Sequence, residues 1–172
     1  MKIVYSSANR NDAYRVAYVV AHSWKETYAG LVPDEYLDYR INDIDNRVES
    51  TGEFIENYSG KYMVVKVDDL VVGMCAFRVD DNRDSGHLDA MYLLNEYHGY
   101  GIGKELFKSA IDWFVDKGLN TMTLECMCGN DTINFYKKYG GEITSTIDYP
   151  IKGAGVVKAD IVRFENIDKI FA

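Results

Sequence analysis

His98-Gly99-Tyr100-Gly101-Ile102-Gly103-Lys104 separates two runs of different periodicity. Before it, Leu88-Asp89-Ala90-Met91-Tyr92-Leu93-Leu94 reads as extended chain; after it, residues 104–117 carry apolar side chains at helical spacing. A strand, a glycine-rich turn and a helix start together make an anion cradle. Glycine lets backbone N–H groups crowd one ligand with no Cβ in the way, and the helix start adds the positive end of its dipole. The turn therefore predicts a phosphate-bearing ligand.

Composition bounds the rest of the chain. At 172 residues with 47% hydrophobic and 13% aromatic content, the sequence predicts one well-cored domain over residues 1–172. Nineteen basic against 27 acidic residues give a net charge of −8, which argues against nucleic acid and suits cationic small molecules. The start, Met1-Lys2-Ile3-Val4-Tyr5, lacks the apolar core of a signal peptide, and no apolar run is long enough for a bilayer. Cys75, Cys126 and Cys128 are few, odd in number and set in apolar segments. They read as reduced core thiols of a cytoplasmic protein, and Cys126-Met127-Cys128 lacks the further pair that zinc needs, so no metal is expected.

In chain order, residues 2–6 read as a strand. Asn11 or Asp12 is positioned to cap a helix whose Ala13, Val16, Ala17, Val20 and Trp24 share one face, running to about Tyr28. Gly30 ends it, and Pro33 opens a shorter helix over residues 34–40, followed by a polar helix over 45–58. The period then shortens. Residues 61–67 and 70–79 form a hairpin about Asp68-Asp69, the polar loop 80–86 follows, and 87–94 is a third strand leading to the glycine turn. In the helix after the turn, Ile102, Leu106, Ala110, Ile111, Trp113 and Phe114 form the apolar face. A strand over 119–126, a helix over 132–139 capped by Asn130 or Asp131, and strands over 142–149 and 156–165 about the loop 150–155 complete the chain. The expected class is mixed α/β: a mostly antiparallel central sheet of about six to seven strands, with one parallel pair across the glycine turn, flanked by helices on both faces.

Two familiar glycine motifs fail. A Walker P-loop needs four residues between its first Gly and Gly-Lys-Ser/Thr; here Gly99 is followed by three before Gly103-Lys104, and Glu105 replaces the Mg²⁺-binding hydroxyl. A Rossmann fingerprint needs Gly or Ala where Lys104 stands and opens a parallel unit rather than following a meander. What the sequence resembles, from about Tyr5 to Phe164, is the GNAT superfamily of N-acetyltransferases. Its first signature, Arg or Gln, two residues, Gly, any residue, then Gly or Ala, falls on His98 to Gly103. The second falls on Asn130, Ile133, Phe135-Tyr136, Lys138 and Gly140, one helix and one strand later. Trp24, the run from Tyr28 to Pro33 and Tyr36-Leu37-Asp38 also look like a segment of one bacterial subgroup.

The resemblance implies acetyl-CoA as acyl donor and a sheet splayed at its site. Backbone groups near Met91 and Leu93 would reach the thioester and pantetheine, while Gly99, Gly101, Ile102, Gly103 and Lys104 would present amides to the pyrophosphate. Asn130 would hold the pantetheine arm. His98 departs from the family's Arg or Gln and loses a permanent charge. Tyr136 matches the tyrosine that protonates the departing thiolate, with Phe135 expected to supply the neighbouring core aromatic. His87 stands where histone-modifying members carry a catalytic Glu; an imidazole can act as a base near neutral pH, and Asp89, on the same strand face, would orient it or bind the substrate cation. The acceptor, an unidentified primary amine, would meet Trp24, Glu26, Tyr28 and Tyr149 between the N-terminal helices and the C-terminal hairpin. The family makes a homodimer plausible. A rival reading, an acyl-CoA-binding sensor with little or no catalysis, rests on the off-pattern His87 and His98.

Overall fold

The computed structural model describes residues 1–172. The elements are β1 (Ile3–Ser7), α1 (Ala13–Tyr28), α2 (Asp34–Asn42), α3 (Ile44–Asn57), β2 (Lys61–Val67), β3 (Leu70–Val79), β4 (Gly86–Leu93), α4 (Ile102–Asp116), β5 (Thr121–Met127), α5 (Ile133–Lys138), β6 (Glu142–Ile151) and β7 (Gly155–Glu165). The strands form one seven-stranded sheet in the order β1-β2-β3-β4-β5-β7-β6. It is mixed and mostly antiparallel, as expected: β1–β2, β5–β7 and β6–β7 run antiparallel, and β4–β5, joined through α4, run parallel.

The chain packs as two compact units, residues 1–76 with 90–107, and residues 77–89 with 108–172. In the first, Val16 and Val19 of α1 and Ile55 of α3 pack with Val64, Val71, Met74, Ala76 and Leu94. The alternation of β2 and the helical spacing of α1 put these residues on one side of each element. Fully burying one such aliphatic side chain contributes about 1.5–3 kcal/mol. The β2–β3 turn places both Asp68 (φ 48°) and Asp69 (φ 67°) in the left-handed region, as a two-residue hairpin turn demands. Asp68 offsets that strain by accepting from the Lys2 N–H at 2.9 Å.

In the second unit, Phe77, Phe114, Met122, Leu124, Val162 and Phe164 are buried. Gly86 lies against Phe114 so closely that a Cβ would stand 2.6 Å from three ring carbons. Trp113, expected on the buried face of α4, is half-buried: it packs edge-on against Phe77 and Phe114 while the Lys117 ammonium lies over its ring.

Several boundaries differ from the sequence reading. The cap before α1 is Asn9, whose Oδ1 accepts from the Asn11 N–H while the Asp12 carboxylate accepts from the Asn9 N–H. Asn9 caps a 3-10 turn over Arg10–Asp12, and Asp12 then holds the N-cap position of α1, although its side chain makes no capping bond to that helix. Strand β6 runs through Pro150 to Ile151 instead of stopping at Tyr149. It is an edge strand, where a residue without an N–H costs no ladder bond.

Candidate active site

The first unit carries the cradle. After β4, Asn95–Tyr97 makes a 3-10 turn. The Asn95 N–H donates to the Glu26 carboxylate at 3.0 Å, so this acidic residue of α1 anchors the start of the turn. The His98 ring folds back, its Nε2 3.0 Å from the Leu93 carbonyl oxygen. A carbonyl only accepts, so Nε2 donates and the other ring nitrogen is the acceptor. Gly99 (φ 86°) and Gly101 (φ 79°) take backbone conformations that side chains avoid. Exposed Tyr100 stands between them. The Glu105 N–H bonds the Gly101 carbonyl, so the amides of Ile102, Gly103 and Lys104 open α4 ahead of its first intrahelical bond. A Cβ at Gly99, Gly101 or Gly103 would meet nothing within 4 Å.

Met91 and Leu93 are half-buried near the end of β4. The parallel register joins only Gly86–Leu88 to Met122–Leu124, although β4 continues to Leu93.

Three residues of the expected acceptor wall also belong to the first unit. Trp24 donates its Nε1–H to the Tyr92 hydroxyl at 3.1 Å, packs edge-on against Tyr28, and carries the Arg40 guanidinium 4.4 Å over its ring. Glu26 is the residue already holding Asn95. Tyr149 is half-buried on β6, opposite Val157, in the second unit.

The second unit carries a polar cluster on one face of β4 and β5. His87 Nδ1 lies 2.9 Å from the Thr123 hydroxyl, and the two residues are register partners. His87 Nε2 lies 3.6 Å from Asp89 Oδ1 and 3.7 Å from Glu125 Oε2. Asp89 in turn accepts from Arg78 Nε of β3 at 3.0 Å. The imidazole beside Glu125 is the main reason its carboxyl is held below the usual range, with partial burial opposing. His87 and Asp89, expected on one strand face, stand 3.6 Å apart without a direct hydrogen bond; Glu125, Thr123 and Arg78 are additions. The available signal was the strand-helix-strand connection, because parallel pairing of β4 with β5 brings the Thr123 and Glu125 face beside His87.

Tyr136 and Asn130 lie in the same unit. Tyr136, not Phe135, takes the buried position: it is 6% exposed and packs edge-on against Phe164, whereas Phe135 is half-buried between Tyr136 and Tyr139. Buried Asn130 accepts the Thr132 N–H on Oδ1 at 2.9 Å, which orients the amide and leaves Nδ2 as its donor end. Of the cysteines, Cys75 and Cys126 are buried, but Cys128 is half-buried, and partial burial and the nearby Asp160 raise its thiol above the ordinary range.

No helix is long and apolar enough to cross a membrane. Among known proteins, the chain is 24% identical over 155 residues to an uncharacterized N-acetyltransferase of Bacillus subtilis, covering 88% of this chain and 87% of that protein. It is 25% identical over 150 residues to a spermidine N(1)-acetyltransferase of Thermoplasma acidophilum, covering 85% and 92%. The crystal structure of the PaiA N-acetyltransferase from Thermoplasma acidophilum in complex with coenzyme A superposes with a TM-score of 0.74 at 22% identity, covering 96% and 99% of the two chains. A putative acetyltransferase from Salmonella typhimurium with acetyl-CoA gives a TM-score of 0.68 at 18% identity, covering 96% and 94%. The profile of the acetyltransferase (GNAT) family matches residues 17–141, a span that includes both the glycine turn and Tyr136. The chain belongs to the acetyltransferase (GNAT) family and, with it, to the acyltransferases.

Proposed function

We propose that the chain moves the acetyl group of acetyl-CoA to a primary amine of a small molecule or peptide, by direct attack through a tetrahedral intermediate. The observation that carries this reading is Gly103. It sits in the first turn of α4 and has open space where its Cβ would be, so no steric contact within the fold asks for glycine. Glycine at this first-turn position still carries a helix-propensity cost against alanine, smaller than in a helix interior. A ligand brought against the backbone accounts for that cost, and amides at a helix start favour an anion such as a pyrophosphate. That the two structural relatives described above hold coenzyme A or acetyl-CoA supports the same donor here.

The acceptor reaches the enzyme as R–NH₃⁺, because an alkyl ammonium has a pKa near 10.4. In our reading His87 takes one proton, with Asp89 beside it. The freed lone pair attacks the thioester carbon, and a C–N bond forms as the carbonyl becomes an oxyanion. Backbone N–H groups near Met91 and Leu93 are our candidates to stabilise it. The nitrogen, now carrying a positive charge, loses its second proton to solvent; collapse breaks the C–S bond to leave the neutral amide, and the Tyr136 hydroxyl gives its proton to the departing thiolate and regains one from solvent. Asn130 Nδ2 is assigned to the pantetheine arm. Trp24, Glu26, Tyr28 and Tyr149 remain candidates for the acceptor wall; those with partners described above contribute through surfaces not already used.

Transfer of radiolabelled acetyl from acetyl-CoA across a panel of primary amines tests the proposal. Saturable transfer to at least one amine is expected, and absence of saturable acetyl-CoA binding at millimolar concentration refutes it. One observation favours the sensor reading: His98 spends Nε2 on Leu93 and brings no fixed charge to the cradle. Binding of acetyl-CoA with no transfer to any amine on the panel would select that alternative.

A further inference from the structure

The polar face shared by β4 and β5 contains more than a base and an orienting carboxylate. Its geometry is long where a finished ion pair would be short. Asp89 Oδ1 and Glu125 Oε2 approach the same ring nitrogen of His87 from two strands, at 3.6 and 3.7 Å, and neither distance is a direct hydrogen bond. The His87 side chain is 15% exposed and that of Glu125 34%, so the cluster is open at one side. Three acceptor-capable atoms therefore border one gap. An ammonium has three N–H donors and no acceptor, and it matches such a gap in charge and in number of bonds.

The two carboxylates are not equivalent. Asp89 is tied to the fixed charge of Arg78, which also reaches toward Asp81 at 3.4 Å. Glu125 has the imidazole for its ion-pair partner. On the far side, Arg163 of β7 stands opposite Thr123, but its guanidinium is bonded to Glu165. Glu125 thus supplies the negative charge of the cluster that Arg78 balances least.

We propose that Glu125 and Asp89 form the two-carboxylate seat of the acceptor's ammonium, that the bound ammonium gives its proton to His87 Nε2, and that Thr123 receives the Nδ1–H of the ring. The balance is R–NH₃⁺ plus imidazole to R–NH₂ plus imidazolium, with no further reactant. A threonine hydroxyl both donates and accepts, so it serves the ring before and after transfer. The imidazolium has Nδ1–H on Thr123 and Nε2–H facing two carboxylates, so the site fits the deprotonated-amine state better than the starting one. The proposal rests on the amine acetyltransferase reading and adds Glu125 as a substrate-binding residue and Thr123 as a positioning residue.

The test uses the full chain and its Glu125→Gln, Thr123→Val and Thr123→Ser variants. Glu125→Gln keeps the shape and removes the charge. It is expected to raise the acceptor KM about tenfold or more, leave the acetyl-CoA KM unchanged, and move the acidic limb of kcat/KM to lower pH. Thr123→Val should lower kcat about tenfold, and Thr123→Ser should restore it. An independent arm follows the His87 imidazole by ¹H–¹⁵N NMR while butylammonium is added. Saturable shifts in wild type that are lost in Glu125→Gln are expected; identical shifts in both, or none in either, overturn the seat. If Glu125-dependent shifts appear but no amine is acetylated, the acetyltransferase reading falls and the seat stands. If amines are acetylated and Glu125→Gln changes neither the acceptor KM nor the acidic limb, the seat falls and the reading stands.

Discussion

At Tyr136 the packing ring and the hydroxyl proposed to act as the acid can be tested separately. The ring is buried against Phe164, so Tyr136→Phe keeps the packing and removes only the O–H. We expect kcat to fall about 10²-fold while acetyl-CoA binding stays near wild type, measured by steady-state kinetics and calorimetric titration. Gly103→Ala makes the opposite separation. A Cβ there meets no protein atom, and alanine is the better helix former, so the variant should be at least as stable as wild type yet bind acetyl-CoA more weakly. Unchanged affinity in the variant would remove the ligand-approach argument for Gly103. For Glu125, the folded pKa lies below its ordinary 4.5, chiefly through His87. Stability from this pair is then present above that ordinary value and is lost as pH falls through the lower folded one. His87→Ala should flatten the acid-side loss of stability below pH 4.5, read from urea midpoints as a function of pH.

Neighbouring positions on one element can be put to opposite uses. Gly86 and His87 are adjacent on β4, and the pleat sends them to opposite faces. Gly86 is closed by the Phe114 ring, so Gly86→Ala should cost about 1–3 kcal/mol through overpacking and lower the melting temperature, even though the added methyl is apolar. On β5 the alternation is equally sharp. Met122, Leu124 and Cys126 are buried, while Thr123 and Glu125 face the polar cluster. Burial is the main reason the Cys126 thiol is pushed up to about 11, and it raises Cys75 further. The Cys128 thiol is raised too, by partial burial and by Asp160. Cys128 is half-buried just beyond the strand, however, so its greater access should make it the first of the three to react with a thiol reagent in the native protein, with Cys75 and Cys126 following only on unfolding.

Across the whole molecule, 27 acidic residues against 19 basic ones leave a charge of −8. A field of that sign concentrates cations near the surface and is screened over about 8 Å at physiological ionic strength. For an acceptor carrying two or three positive charges, kcat/KM should fall as salt rises from 50 to 500 mM, and fall less for a singly charged amine. Equal salt dependence for both would show that the net charge has no part in capture. This expectation is independent of the seat around His87, whose contacts lie within one Debye length.

The sequence by itself determined what depends on near neighbours along the chain. The glycine turn at 98–104, the apolar face of α4, the hairpin about Asp68-Asp69 and the spacing to Phe135-Tyr136 were legible, because propensity, periodicity and turn chemistry act over a few residues. These were enough for a mixed, mostly antiparallel sheet with one parallel pair. Tertiary structure decided what depends on which strands lie side by side. Thr123 is 36 residues from His87, and only the parallel register of β4 with β5 makes them partners. The same register brings Glu125 to the imidazole, and the β3–β4 adjacency brings Arg78 to Asp89. Packing, rather than residue type, also chose Tyr136 over Phe135 for the buried position, and hydrogen bonding turned His98 onto Leu93 instead of outward. Hydrophobic pattern fixes which face of a strand is buried, but the neighbour across the ladder is set by the register of the assembled sheet. For this reason the cradle could be read from one stretch of chain, whereas the proposed ammonium seat required three strands in place.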